Sequence, residues 1–141
     1  MMTRLADERQ WYAVYTRSRH EKQVDVLLRR QALLTYLHSL EQTRAMELEL
    51  VLPGHGAPIS DHVALIDERF RMHRRRAERI RRLIASRPAS AHEIAHALWG
   101  NVAVTQAYLT LSEVLGHMDL LLGDGRAREE ESDGVVRFRA A

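Results

Sequence analysis

The chain has 141 residues, 45% hydrophobic and 28% charged, which suits one ordinary domain or two very small ones and excludes a large multilayer α/β enzyme. Cysteine is absent, which removes disulfides, thiolate nucleophiles and cysteine-held zinc and makes a reducing cytoplasm the expected compartment. No apolar run approaches the ~20 residues of a membrane span, and the start, with Asp7, Glu8 and Arg9, lacks the apolar stretch of a secretory signal.

Trp11-Tyr12-Ala13-Val14-Tyr15 is aromatic and β-branched and reads as a short strand. Val24, Leu27, Leu28, Leu33, Leu34, Leu37 and Leu40 then recur at helical spacing and predict a helix over about 19–46, interrupted near Gln31. Residues 48–52 read as a second short strand, and the loop 53–58 follows, since Pro53, Gly54, Gly56 and Pro58 forbid regular structure there. Ser60 or Asp61 can cap a helix reaching about Ser86, whose Val63, Ile66, Phe70, His73, Ala77, Ile80 and Ile84 form one narrow core-facing stripe. Its remaining surface carries eight arginines, from Arg69 to Arg82, and Pro88 stops it.

Ser90 with Glu93 is a capping box that opens a short helix ending at Gly100. One helix is predicted over 102–122, then two short strands, 126–131 and 135–139, around a hairpin turn at Ser132-Asp133-Gly134. Helix, helix, helix and hairpin is the order of a winged helix, with Gly100-Asn101 as the turn of its helix-turn-helix. The expected fold is mostly α (α+β): a C-terminal winged helix-turn-helix with a two-stranded wing, preceded by an incomplete strand-helix-strand segment. The expected divisions are 1–31, 32–60 and 61–141.

The stretch Leu50-Val51-Leu52-Pro53-Gly54-His55-Gly56-Ala57-Pro58-Ile59, with the arginine-rich helix and wing after it, resembles the end of the metallo-β-lactamase-fold hydrolases. The resembling branch includes the β-lactamase-like endoribonucleases and glyoxalase-like hydrolases, and the resemblance runs over about 32–141. It implies that His55 is the last metal-binding histidine, flanked by glycines that let the backbone turn sharply. In the parent family zinc would activate water for phosphodiester, ester or thioester hydrolysis. The motif His-x-His-x-Asp-His, which carries that chemistry, does not occur in this sequence. The expectation is a truncated hydrolase relative with a vestigial ligand at His55, no stable zinc and no catalysis of its own.

Residues 11–24, Trp11-Tyr12-Ala13-Val14-Tyr15-Thr16-Arg17-Ser18-Arg19-His20-Glu21-Lys22-Gln23-Val24, resemble the opening of a NusG-type N-terminal domain. That resemblance, which stops near Gln31, implies RNA polymerase as a partner and a fragment of a transcription elongation or antitermination factor.

Two other patterns carry chemistry. His92-Glu93-Ile94-Ala95-His96 matches the zinc-protease pattern literally, but such a site needs a third ligand and a cleft, and surface histidines of a short helix are the simpler reading. Arg71, Arg74, Arg75, Arg76, Arg79 and Arg82 are candidate contacts to RNA phosphates. The alternative is a solvated face, partly paired with Asp67, Glu68 and Glu78, that packs against a hydrolase domain. The helix over 102–122 starts without Arg or Lys, and the wing tip, Glu129 to Asp133, is acidic. Both features argue against sequence-specific DNA reading.

Overall fold

The computed structural model describes residues 32–141. The strand expected at 11–15, the helix before Ala32 and the NusG-like stretch lie outside the described residues. Five helices and one hairpin follow: α1 (Ala32–Arg44), α2 (His62–Ser86), α3 (Ala91–Trp99), α4 (Val102–Thr105), α5 (Ala107–Gly123), β1 (Ala127–Ser132) and β2 (Val135–Ala140). The described chain is thus mostly helical with one antiparallel two-stranded sheet. None of the described helices is long and apolar enough to cross a membrane.

Local chemistry sets most boundaries. Asp61 caps α2 by accepting from the Ala64 N–H at 2.9 Å, and the chain turns extended at Arg87, ahead of Pro88. Ser90 and Glu93 form the expected capping box: the Glu93 N–H donates to Ser90 Oγ, and the Ser90 N–H donates to Glu93 Oε2 at 2.8 Å. Gly100, at φ 58°, ends α3. Asp133 (φ 55°) and Gly134 (φ 70°) both take the left-handed region that a two-residue type I′ hairpin demands. Register then runs from Ser132 opposite Val135 to Ala127 opposite Ala140.

Two sequence expectations fail for identifiable reasons. Residues 48–52 form no strand; only a bridge between Val51 and Ile59 closes the proline–glycine loop, with two 2.9 Å hydrogen bonds. No described strand lies beside it, so the other backbone groups have no ladder to join, and Leu52 is 75% exposed. The helix expected over 102–122 is broken at Gln106 (φ −124°, ψ 41°). Val102, Val104 and Thr105 are β-branched and hold a helix weakly. Across the break, Ala103 and Thr110 are both buried, and the Thr110 hydroxyl lies 3.2 Å from the carbonyls of Gln106 and Ala107.

The core lies where α2, α3 and α5 meet the hairpin. Ile80, Ile84, Ile94, Val114, Met118, Leu121 and Phe138 are its largest fully buried apolar side chains. Phe138 is anchored through its backbone, since Ala89 exchanges two hydrogen bonds with it at 2.9 and 2.8 Å. The segment after α2 therefore flanks β2 on the side away from β1. Helix α1 buries none of its own residues, yet it touches both long helices. Leu33 lies against Gly116 of α5, Tyr36 meets His73 edge-on, and Arg44 grips Asp67 at 2.7 Å.

Ser90→Ala removes one half of the capping box and is expected to cost about 1 kcal/mol in urea denaturation. Gly116→Ala places a methyl 2.9 Å from Leu33 Cβ. It is expected to loosen α1, read as faster amide exchange over residues 32–44 with the α3 amides unchanged.

Candidate functional site

His55 sits at the tip of the loop closed by Val51 and Ile59 and is exposed, with Gly56 in the left-handed region at φ 88°. The loop has the sharp turn that the resemblance implies, but His55 joins no group of three or more metal-ligating side chains among the described residues. His92 and His96 are exposed, with ring centroids 6.4 Å apart and tilted. The Glu93 between them is held by the Ser90 backbone N–H and by Arg87 at 2.9 Å, which pull its pKa down to about 2. A carboxylate so stabilised is a helix cap and a poor general base.

One group of metal-ligating side chains does assemble: His73 of α2 with Glu113 and His117 of α5. His117 is fully buried and His73 nearly so. His117 Nδ1 lies 2.7 Å from the Glu113 carbonyl oxygen, which can only accept, so Nδ1 carries the proton. His117 Nε2 then accepts from His73 Nδ1 at 3.2 Å. The ring centroids are 5.3 Å apart, close to the largest separation that such a contact allows, so the nitrogens face each other head-on. The Glu113 carboxylate is already paired with Arg76. The three residues thus form a hydrogen-bonded chain that also gathers three metal-ligating groups within 4.8 Å of one another.

Burial pushes both histidines below the usual imidazole pKa. For His73 the Arg76 and Arg69 charges add to burial, against the Glu113 carboxylate. For His117 the Glu113 carbonyl and carboxylate oppose burial, while the neighbouring His73 and Arg76 reinforce it. His73 was legible as a member of the α2 stripe, and Glu113 and His117 as neighbours one helical turn apart. Nothing local signalled that the two histidines meet across 44 residues.

The arginines of α2 have distinct surroundings. Glu78 takes Arg81 at 2.9 Å, Arg126 at 2.6 Å and Arg82 at 3.4 Å, and these hold its pKa near 2. Asp67 takes Arg44, and the nearby Arg71 and Arg74 also lower its pKa. Arg76 pairs with Glu113. Among the described residues Arg69, Arg75 and Arg79 make no ion pair. Of the six arginines proposed from sequence, Arg75, Arg76 and Arg79 share one groove with Arg69, and Arg71, Arg74 and Arg82 do not line it. Arg69 and Trp99, which also line the groove, were not singled out from sequence.

Comparison with known proteins supplies the class. Residues 77–141 match the family described as metallo-beta-lactamase-like, C-terminal domain. Over 112 residues the chain is 36% identical to a protein named probable metallo-hydrolase YqjP from Bacillus subtilis (strain 168), covering 79% of this chain and 35% of that protein. Among solved structures it resembles a beta-lactamase domain protein from Burkholderia ambifaria, with a TM-score of 0.68 and 33% identity over 77% of this chain and 33% of that chain. Residues 77–141 are thus similar to a metallo-beta-lactamase-like C-terminal domain, and the chain spans about a third of the length of these relatives. Among the described residues His55 belongs to no group of three metal-ligating side chains, and the one such group is His73, Glu113 and His117.

The histidine pair gives stability a pH dependence of defined sign. Both folded-state pKa values lie below the unfolded value of about 6.5. Between those values the unfolded chain binds more protons, so stability is complete above about pH 6.5 and is lost as pH falls toward the folded pKa values. Urea midpoints are expected to drop from about pH 7.5 to about pH 5.5, and a His73→Gln/His117→Gln double variant is expected to flatten that drop.

Proposed function

We propose that residues 61–141 form a winged-helix accessory domain of a metallo-β-lactamase-fold hydrolase relative, and that the chain as given has no hydrolytic activity of its own. The observation that carries this reading is the match of residues 77–141 to the C-terminal domain of that family, beside a His55 that joins no group of three metal-ligating side chains among the described residues. The winged-helix reading is supported by the order α2, bridge, α3, α4–α5 and hairpin, with Ala89 paired to Phe138 as a rudimentary first strand. Zinc belongs to the chemistry of the parent family, where it would activate water. In this chain His55 is at most one ligand of such a centre.

The surface that would face a DNA groove favours an interaction role over base reading. Val102, Val104, Tyr108 and Leu109, at the start of α4 and α5, are exposed and carry no positive charge. The wing strand Glu129-Glu130-Glu131 is acidic and exposed, which repels a phosphate backbone. Exposed Leu34 and Tyr36 of α1 and the loop around His55 provide the face that adjoins a hydrolase core in this reading.

The test is metal analysis and a phosphodiesterase, esterase and thioesterase panel on the purified full chain. The expected result is far less than one zinc per chain, no turnover, and no change in metal content on His55→Ala. Stoichiometric zinc with turnover would overturn the reading.

A further inference from the structure

A groove of about 430 Å³ runs between the middle of α2 and the end of α3, within the size range of small-ligand sites. Arg69, Arg75, Arg76 and Arg79 line one wall, and Leu98 and Trp99 line the other. Glu68 is the only carboxylate in the lining. Glu113 answers the charge of Arg76, so three guanidinium groups face the groove with no described carboxylate paired to them. Every other arginine of α2 has an acidic neighbour, at Glu78 or Asp67. Three guanidinium groups without an ion pair are therefore gathered in this groove beside an indole.

We infer that the groove binds a nucleotide unit, with Arg69, Arg75 and Arg79 on its phosphates and the half-buried Trp99 against its base. Guanidinium groups match phosphate oxygens through paired N–H donors. Arg69 to Arg79 spans about 15 Å of helix axis, enough to meet more than one phosphate. An indole beside such a row gives a flat apolar face on which a base can stack. Arg76, paired with Glu113, lines the same wall. A solvated basic face needs neither the concavity nor the indole. This narrows the basic surface of α2 to three arginines and one tryptophan, and it stands independently of whether the chain is related to a hydrolase.

The test uses the full chain carrying W11F, which leaves Trp99 as the sole tryptophan. Adenosine diphosphate, a ten-nucleotide single-stranded RNA and inorganic phosphate are each titrated at low salt, read by Trp99 fluorescence and calorimetry. Saturable quenching is expected with the two nucleotide probes. Charge reversal at three exposed positions, R69E/R75E/R79E, is expected to weaken both by at least about tenfold without changing the circular dichroism spectrum. Calorimetry on W99L is expected to show weakened nucleotide binding with phosphate binding unchanged. RNA at least about tenfold tighter than the diphosphate identifies a strand, and equal affinity identifies a free nucleotide. No saturable binding, phosphate as tight as nucleotide, or affinity unaffected by the charge reversal each overturns the proposal.

Discussion

Helix α2 carries eight arginines over 25 residues, and a helix so charged can be buried along only one seam. Ile66, His73, Ala77, Ile80 and Ile84 form that seam, at alternating steps of three and four that keep them on one side. Full burial of an isoleucine against water is worth about 1.5–3 kcal/mol, so covering Ile80 and Ile84 sets where the other elements lie. Helix α5 lies along the seam, α3 crosses its end, and β2 closes it with Phe138. The charged flanks allow no second orientation, because turning the helix would bury unpaired guanidinium groups.

One member of the seam is polar, and that makes the α2–α5 contact specific. A buried imidazole without a partner is destabilising, and the hydrogen-bonded chain from His73 through His117 to the Glu113 carbonyl satisfies three ring nitrogens and one backbone acceptor. Sliding α5 by a turn would break the His73–His117 bond and leave both facing nitrogens unpaired. The Arg76–Glu113 pair at the rim holds the same register from the surface side. Apolar residues alone tolerate small slips, whereas a directional polar contact does not. The close approach of Leu33 to Gly116, next to His117, brings α1 into the same contact.

What was legible in the sequence was local. The caps at Asp61 and Ser90, the α2 stripe, the Gly100 stop and the Asp133-Gly134 turn each depend on residues within a few positions of one another. They lie close to where the sequence places them. The failures are non-local. Residues 48–52 have strand composition but no strand beside them among the described residues. The break at Gln106 depends on burying Ala103 and Thr110 together, which the apolar pattern of 102–122 does not reveal. The same limit applied to the candidate sites. The glycines around His55 were visible, but which side chains gather near it was a matter of distance. The pairing of His73 with His117 needed the fold.

Net charge shows the same division between composition and placement. A total of +2 over 141 residues describes a nearly neutral molecule, yet charges in water screen one another over a Debye length of about 8 Å at physiological salt. Glu129, Glu130 and Glu131 on the wing reduce the total without neutralising α2 from a distance. What counts for a guanidinium is the carboxylate within a few ångströms, and the fold distributes these unevenly. Glu78 takes three arginines because α2 places Arg81 and Arg82 one turn away and the end of α5 brings Arg126 across. Asp67 is engaged by α1, and Glu113 reaches from α5 to Arg76. Each of these carboxylates is drawn to its arginines by packing that exists for other reasons. Arg69, Arg75 and Arg79 are left without such a carboxylate, and their positive field is gathered in one groove beside Trp99.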